Sequence, residues 1–166
     1  KMKIVQITLA IILATIIMSC YQSKEKMENT TQELTTIFSK GEKGSNDLFT
    51  GNAYPTALVD ADSIYKTLVG NVYFEPGARS NWHSHPAGQI LVITNGIGYH
   101  QMEGKPVEMI KKGDVVKCPP SVKHWHGASA EVGLQQLYVI PNTDKGIVEW
   151  SEAVTDEQYS INHSNQ

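Results

Sequence analysis

Surplus positive charge, long apolar runs, internal repeats and cysteine are all missing or scarce in this sequence, and each shortage removes a class of protein. Lys and Arg number 14 against 17 Asp and Glu, a formal net charge of −3, which argues against a nucleic-acid partner. The longest apolar run, Ile4 to Met18, is interrupted by Gln6, Thr8 and Thr15. It falls short of the ~20 residues that a bilayer-spanning helix needs. No internal repeat is present, so repeat architectures drop out. Cysteine is limited to Cys20 and Cys118. The latter lies on a strand-like run just before Pro119, where it reads as small core filling and not as a nucleophile.

The N-terminus has a pattern of its own. Lys1 and Lys3 precede the apolar run, whose length suits the h-region of an export signal. The run ends Ile17-Met18-Ser19-Cys20, which resembles the lipobox of bacterial lipoproteins. That resemblance implies cleavage of a signal peptide at 1–19, lipidation of Cys20 and a stable membrane anchor, because several acyl chains hold where one is marginal. Cleavage would remove two Lys and no acid, leaving 12 basic against 17 acidic residues, a net charge of −5. With Cys20 acylated, Cys118 is the sole remaining thiol and no internal disulfide can form. Residues 20–46, rich in Ser, Thr, Glu, Lys, Asn and Gln, read as a flexible tether. One domain is expected over 47–160, followed by a disordered tail at 161–166.

From Asp47 onward short strand-like runs alternate with turn residues, and no helical period competes. The expected strands are Ala57–Asp60, Tyr65–Phe74, Gln89–Thr94, Ile97–Met102, Val107–Ile110, Asp114–Cys118 and Leu134–Ile140. Glu75-Pro76-Gly77, Asn95-Gly96, Glu103-Gly104-Lys105-Pro106 and Lys112-Gly113-Asp114 punctuate them. Such spacing predicts an all-β antiparallel barrel or jelly roll. Helix is expected only within Val148–Tyr159, where Thr155-x-x-Gln158 has the form of a capping box.

Chemistry concentrates in two blocks. The first is Gly77-x5-His83-x-His85-x3-Gln89-x6-Gly96, and the second is Gly113-x5-Pro119-x-Ser121-x2-His124. Residues 83, 85 and 89 share one parity, so on a strand their side chains share one face. Two imidazoles and an amide oxygen can bind a divalent first-row metal, and a third imidazole completes the set. Four of the six histidines lie at 83, 85, 124 and 126.

The two blocks resemble the paired motifs of the cupins. The family pattern has Glu where this chain has Gln89, PxG where it has Pro119-Pro120-Ser121, and Asn where it has Ala128. The resemblance implies a double-stranded β-helix barrel with His83, His85, Gln89 and His124 as metal ligands. Phe74-Glu75-Pro76-Gly77-Ala78-Arg79, Lys123-His124-Trp125-His126-Gly127-Ala128 and Val154-Thr155-Asp156-Glu157-Gln158-Tyr159 are similar to one branch of small bacterial cupins. That branch is allied to carboxymuconolactone-decarboxylase-associated proteins and includes manganese-dependent hydroxynitrile lyases. In the lyase members polar His and Gln side chains on the last barrel strand face the metal; here the corresponding stretch is Gln136 to Ile140.

The ligand set shapes the expected reaction. Three neutral imidazoles and a neutral amide leave the full +2 charge on the ion, whereas a carboxylate at 89 would cancel one unit. Such an ion polarises a carbonyl or holds an anion strongly, and it resists oxidation to +3. The expectation is therefore a Lewis-acid lyase or isomerase acting on a small-molecule carbonyl-type substrate, with Mn²⁺ favoured and Fe²⁺, Zn²⁺, Ni²⁺ or Co²⁺ as alternatives. His126 shares the parity of His124, so it reads either as a catalytic proton carrier or as a histidine supporting the ligands. A sugar or uronate isomerase, a dioxygenase and a non-catalytic small-ligand binder are the competing functions. Arg79 reads as a surface turn residue, with attraction of an anionic substrate as the other option. His100 reads as structural and His163 as solvated. Cupin sheets expose edges that pair, which implies a homodimer using an edge strand from Leu48 to Leu58.

Overall fold

The computed structural model describes residues 35–160. Cys20, the signal-type run and His163 lie outside the described residues. β-Branched and aromatic runs build the strands here, and glycine turns separate many of them. Strands β1 (Phe49–Thr50), β2 (Ala53–Val59), β3 (Thr67–Phe74), β4 (Arg79–Ser80) and β5 (His83–Ser84) come first. They are followed by β6 (Gln89–Met102), β7 (Glu108–Lys111), β8 (Val115–Cys118), β9 (His124–Ala128), β10 (Leu134–Pro141) and β11 (Glu149–Trp150). A single helical turn, α1 (Asp156–Ser160), ends the described chain.

The strands pair antiparallel in the order β1-β4-β9-β6-β10-β3-β2, giving the all-β, nearly closed barrel expected from the sequence. β6 joins the two walls. Its first half pairs with β8 and β10, and its second half with β7 and β9. Asn95-Gly96 was expected to separate two strands, yet the chain runs through it as one strand of 14 residues. The register with β10 passes from Gln135↔Asn95 to Gln136↔Ile93, leaving Thr94 as an extra residue that bends the strand. Gly96 has φ +83°, and a Cβ there would lie 1.9 Å from the Gly133 carbonyl oxygen. Glycine at this position therefore serves a bend and a close backbone approach, not a reversal.

One core cluster fills the barrel with Phe49, Val72, Phe74, Leu91, Ile93, Ile110 and Leu134. A second cluster of Trp82, Tyr99, Trp125, Val154 and Tyr159 packs α1 against the outside of β9. The capping box forms: Gln158 N–H donates to Thr155 Oγ1 at 3.1 Å, and Thr155 N–H to Gln158 Oε1 at 2.9 Å. The helix is shorter than the expected 148–159 window because β11 takes Glu149 and Trp150 onto the edge of β5.

Arg79 is neither a surface residue nor a substrate clamp. It is buried, donates through Nε and Nη2 to Val154 O, pairs with Asp156 at 2.5 Å and lies 4.6 Å over the Tyr159 ring. The guanidinium therefore fastens α1 to the barrel. Part of the expected tether is likewise held in place. Gln135, fully buried, accepts from Ile37 N–H at 3.0 Å and donates to Phe38 O at 3.1 Å. Lys40 reaches Glu75 at 2.7 Å across the rings of Tyr54 and Tyr73.

Candidate metal centre

Three histidines meet inside the barrel from different elements. His83 lies on β5, His85 on the turn that follows it, and His124 at the start of β9, directly across from His83. One side-chain nitrogen from each falls within 4.8 Å of the others, an arrangement that can hold a metal ion. Parity alone did not bring them together. The chain reverses at Pro86-Ala87-Gly88, and Gln89 returns at the first position of β6. Gly88 has φ +81° there, and its ideal Cβ would lie 2.8 Å from Cys118 O, so the two sequence blocks touch at this glycine. Ser121 adopts φ +59°, the left-handed conformation, at the position where the family pattern has glycine. Its N–H donates to His85 O at 2.9 Å, a second tie between the blocks.

Hydrogen bonds fix which nitrogen each ring presents. Nδ1 of His83 lies 2.9 Å from Asn81 O, Nδ1 of His85 2.6 Å from Ile147 O, and Nδ1 of His124 2.8 Å from Val122 O. A carbonyl oxygen can only accept, so each Nδ1 carries the proton and each Nε2 keeps a lone pair. This is the arrangement by which metal-binding histidines are held. Burial lowers the pKa of all three, chiefly through desolvation; the His124 value falls to about 4. The rings are thus neutral at pH 7, as ligands must be.

Two further observations fit a cation. His85 Nε2 is buried with no hydrogen-bond partner. Gln89 Oε1 sits 3.1 Å from His124 Nε2, so two acceptors face each other with no proton between them. A cation sharing both lone pairs relieves that repulsion.

His126 stands beside this group but is bonded differently. It is buried, its ring centroid is 5.2 Å from that of His83, and its Nδ1 lies 2.8 Å from Gln136 Nε2. Its backbone N–H donates to Ser80 Oγ at 3.2 Å. Burial first, then the neighbouring imidazoles, hold its pKa well below the ordinary value. His100 is buried and does not line the cavity beside His83 and His126. Nε2 is 3.4 Å from Cys118 Sγ, and burial brings the His100 pKa to about 4 and pushes the Cys118 thiol up to about 12.

His83, His85, Gln89 and His126 line a cavity of about 140 Å³ whose other walls are mostly apolar, among them Phe49, Val72, Tyr138, Ile140 and Trp150. Sequence reasoning missed these walls and Ser80. It noted Gln136 only as a departure on the last strand. The Trp150 ring lies tilted 4.9 Å from that of His83 and meets Phe49 edge-on at 5.7 Å. The pairing of β11 with β5, which puts Trp150 opposite His83, has no local sequence signal.

A barrel of this topology with three convergent imidazoles is the architecture of a cupin, and the cupin-domain family model matches residues 70–139. The chain belongs to the cupin family. It is 45% identical over 117 residues to an (R)-mandelonitrile lyase of Granulicella tundricola, an alignment spanning 70% of this chain and 89% of the relative. A crystal structure of a cupin-like protein from Thermotoga maritima superposes with a TM-score of 0.76 at 46% identity, covering 79% of this chain and 99% of that one. A DMSP lyase from Ruegeria pomeroyi, with a TM-score of 0.55 and 19% identity over 75% of this chain and 63% of its own, shares the fold.

Proposed function

We propose that this protein is a divalent-metal-dependent lyase that cleaves or forms small aromatic cyanohydrins, as the name of its (R)-mandelonitrile lyase relative suggests. The observation that carries the reading is a cavity with apolar walls whose floor carries the neutral imidazoles of His83 and His85, two of the three that converge with His124. Its volume, about 140 Å³, is close to the roughly 150 Å³ of an apolar cavity that accommodates benzene. A single aryl ring therefore fits against Phe49, Val72 and Tyr138. The apolar walls weigh against the uronate and sugar alternatives, whose hydroxyl groups would need partners there.

His83, His85, His124 and Gln89 would hold the ion, and Mn²⁺ is favoured with Fe²⁺ second. A bound ion would supply Lewis acidity undiminished by any anionic ligand. The chain's own residues do the rest. The walls exclude water and orient the ring, which keeps the carbonyl end toward the imidazoles. His126 is the nearest imidazole outside the ligand set, and its Nε2 is buried without a partner. In cyanohydrin cleavage the C–CN bond breaks and the hydroxyl proton ends on the departing cyanide, giving aldehyde and hydrogen cyanide; His126 Nε2 is the polar atom placed to hydrogen-bond that anion as it leaves.

We further propose that Cys20 anchors the protein to a membrane and that the domain is a homodimer. β2, at one end of the strand order, exposes Leu58 and Val59 and is an edge that can pair.

The test of function is racemic mandelonitrile cleavage by metal-loaded protein with and without oxygen. Equal turnover in both atmospheres is expected. His126→Ala should lower turnover by roughly 10²–10⁴-fold while metal content stays intact. Stoichiometric oxygen uptake would defeat the lyase reading and promote the dioxygenase.

A further inference from the structure

Four imidazoles crowd the floor of the barrel, yet one differs from the rest. Ring-centroid separations among His83, His85 and His124 are 4.4, 5.1 and 5.5 Å, and His126 lies 5.2 Å from His83 and 6.2 Å from His124. Spacing therefore does not set His126 apart. The hydrogen bond at Nδ1 does.

Each of the three ligand candidates donates from Nδ1 to a backbone carbonyl and keeps its lone pair on Nε2. His126 Nδ1 instead faces the amide nitrogen of Gln136 at 2.8 Å. An amide nitrogen has hydrogens and no lone pair to offer, so Nδ1 accepts. In a neutral ring the proton then sits on Nε2, where it blocks coordination. Gln136 is fully buried, opposite Ile93 on β6 and Val72 on β3, directly after the register break at Gln135/Gln136. Phe74 meets the His126 ring edge-on at 5.7 Å. Of the Gln136–His126 pair, only His126 lines the cavity.

We propose that Gln136 is a positioning residue that withholds His126 from the metal and presents its Nε2–H to the cavity. Without that bond His126 would be free to take the other tautomer, in which a fourth imidazole could occupy a coordination position that substrate needs. With it, His126 is a hydrogen-bond donor aimed at the anionic fragment of the substrate; this last role rests on the lyase reading above, whereas the tautomer does not.

The experiment uses Zn²⁺-loaded protein labelled with ¹⁵N-histidine, and long-range ¹H–¹⁵N spectra that report which ring nitrogen bears hydrogen. His83, His85 and His124 should be protonated at Nδ1 and His126 at Nε2. In Gln136→Glu the carboxylate accepts from Nδ1, so His126 should switch tautomer. Loaded with Cu²⁺, that variant should show one more coordinated nitrogen by electron paramagnetic resonance than the wild type. Gln136→Glu combined with His126→Ala should lose the extra nitrogen again. Mandelonitrile turnover by Gln136→Glu should drop about 10- to 100-fold, the worth of a hydrogen bond to a charged group. A wild-type His126 carrying its proton on Nδ1 overturns the proposal, as does a Gln136→Glu spectrum with an unchanged tautomer. If Gln136→Glu does not fold, the wild-type spectrum alone decides. Absence of lyase activity alongside the expected tautomers would overturn the function and leave the role of Gln136 standing.

Discussion

Acidifying the metal-free protein should unfold it well before its carboxylates protonate. Five buried histidines, His83, His85, His100, His124 and His126, have folded pKa values depressed chiefly by desolvation. The unfolded chain, with ordinary imidazoles near 6.5, takes up protons first as pH falls. Their contribution to stability is therefore complete above about pH 6.5 and is lost as pH falls toward the folded values. His100 and His124, both at about 4 when folded, set the scale. Between pH 7 and 5 each costs about 2 kcal/mol of stability, or about 4 kcal/mol for the pair, before His83, His85 and His126 are counted. Domains of this size are stable by only about 5–15 kcal/mol, so the loss is large. Urea unfolding of chelator-treated protein, followed by tryptophan fluorescence at pH 7, 6 and 5, measures it. The midpoint should fall steeply below pH 6.5, and metal loading should move that fall to lower pH because the ion competes with protons for the same nitrogens. A midpoint that does not change between pH 7 and 5 would refute the claim that these rings are buried neutral.

Other outcomes follow from the ligand set, the termini and the sheet edge. His83→Ala with His85→Ala should abolish stoichiometric metal on elemental analysis, and full occupancy in that double variant would mean that the ligands lie elsewhere. Cys20→Ser should appear in soluble or unprocessed form on cell fractionation; unchanged processing and membrane partition would remove the lipid anchor. Light scattering at micromolar concentration should give twice the chain mass, and a monomer would rule out pairing through β2. No helix among the described residues is long and apolar enough to cross a membrane.

Local sequence determined much of this protein because much of its chemistry is short-range. The His-x-His pair, Gln89 and His124 are legible by spacing. Two of the three imidazoles take their Nδ1 acceptor from the residue two positions earlier, Asn81 for His83 and Val122 for His124. The capping box of Thr155 and Gln158 is equally local. What only the tertiary structure decided depends on chain segments that meet across the barrel. His85 is oriented by Ile147, 62 residues away, and Arg79 was misread because its partners, Val154 and Asp156, lie 75 and 77 residues downstream. Asn95-Gly96 has the composition of a turn, but pairing on both sides of it makes one continuous strand and turns its glycine into a close contact with Gly133. Residue spacing placed His126 beside the ligands without saying what it does. Only the approach of β10 brings the Gln136 amide to its Nδ1, the contact from which we infer that His126 is a donor and not a fourth ligand.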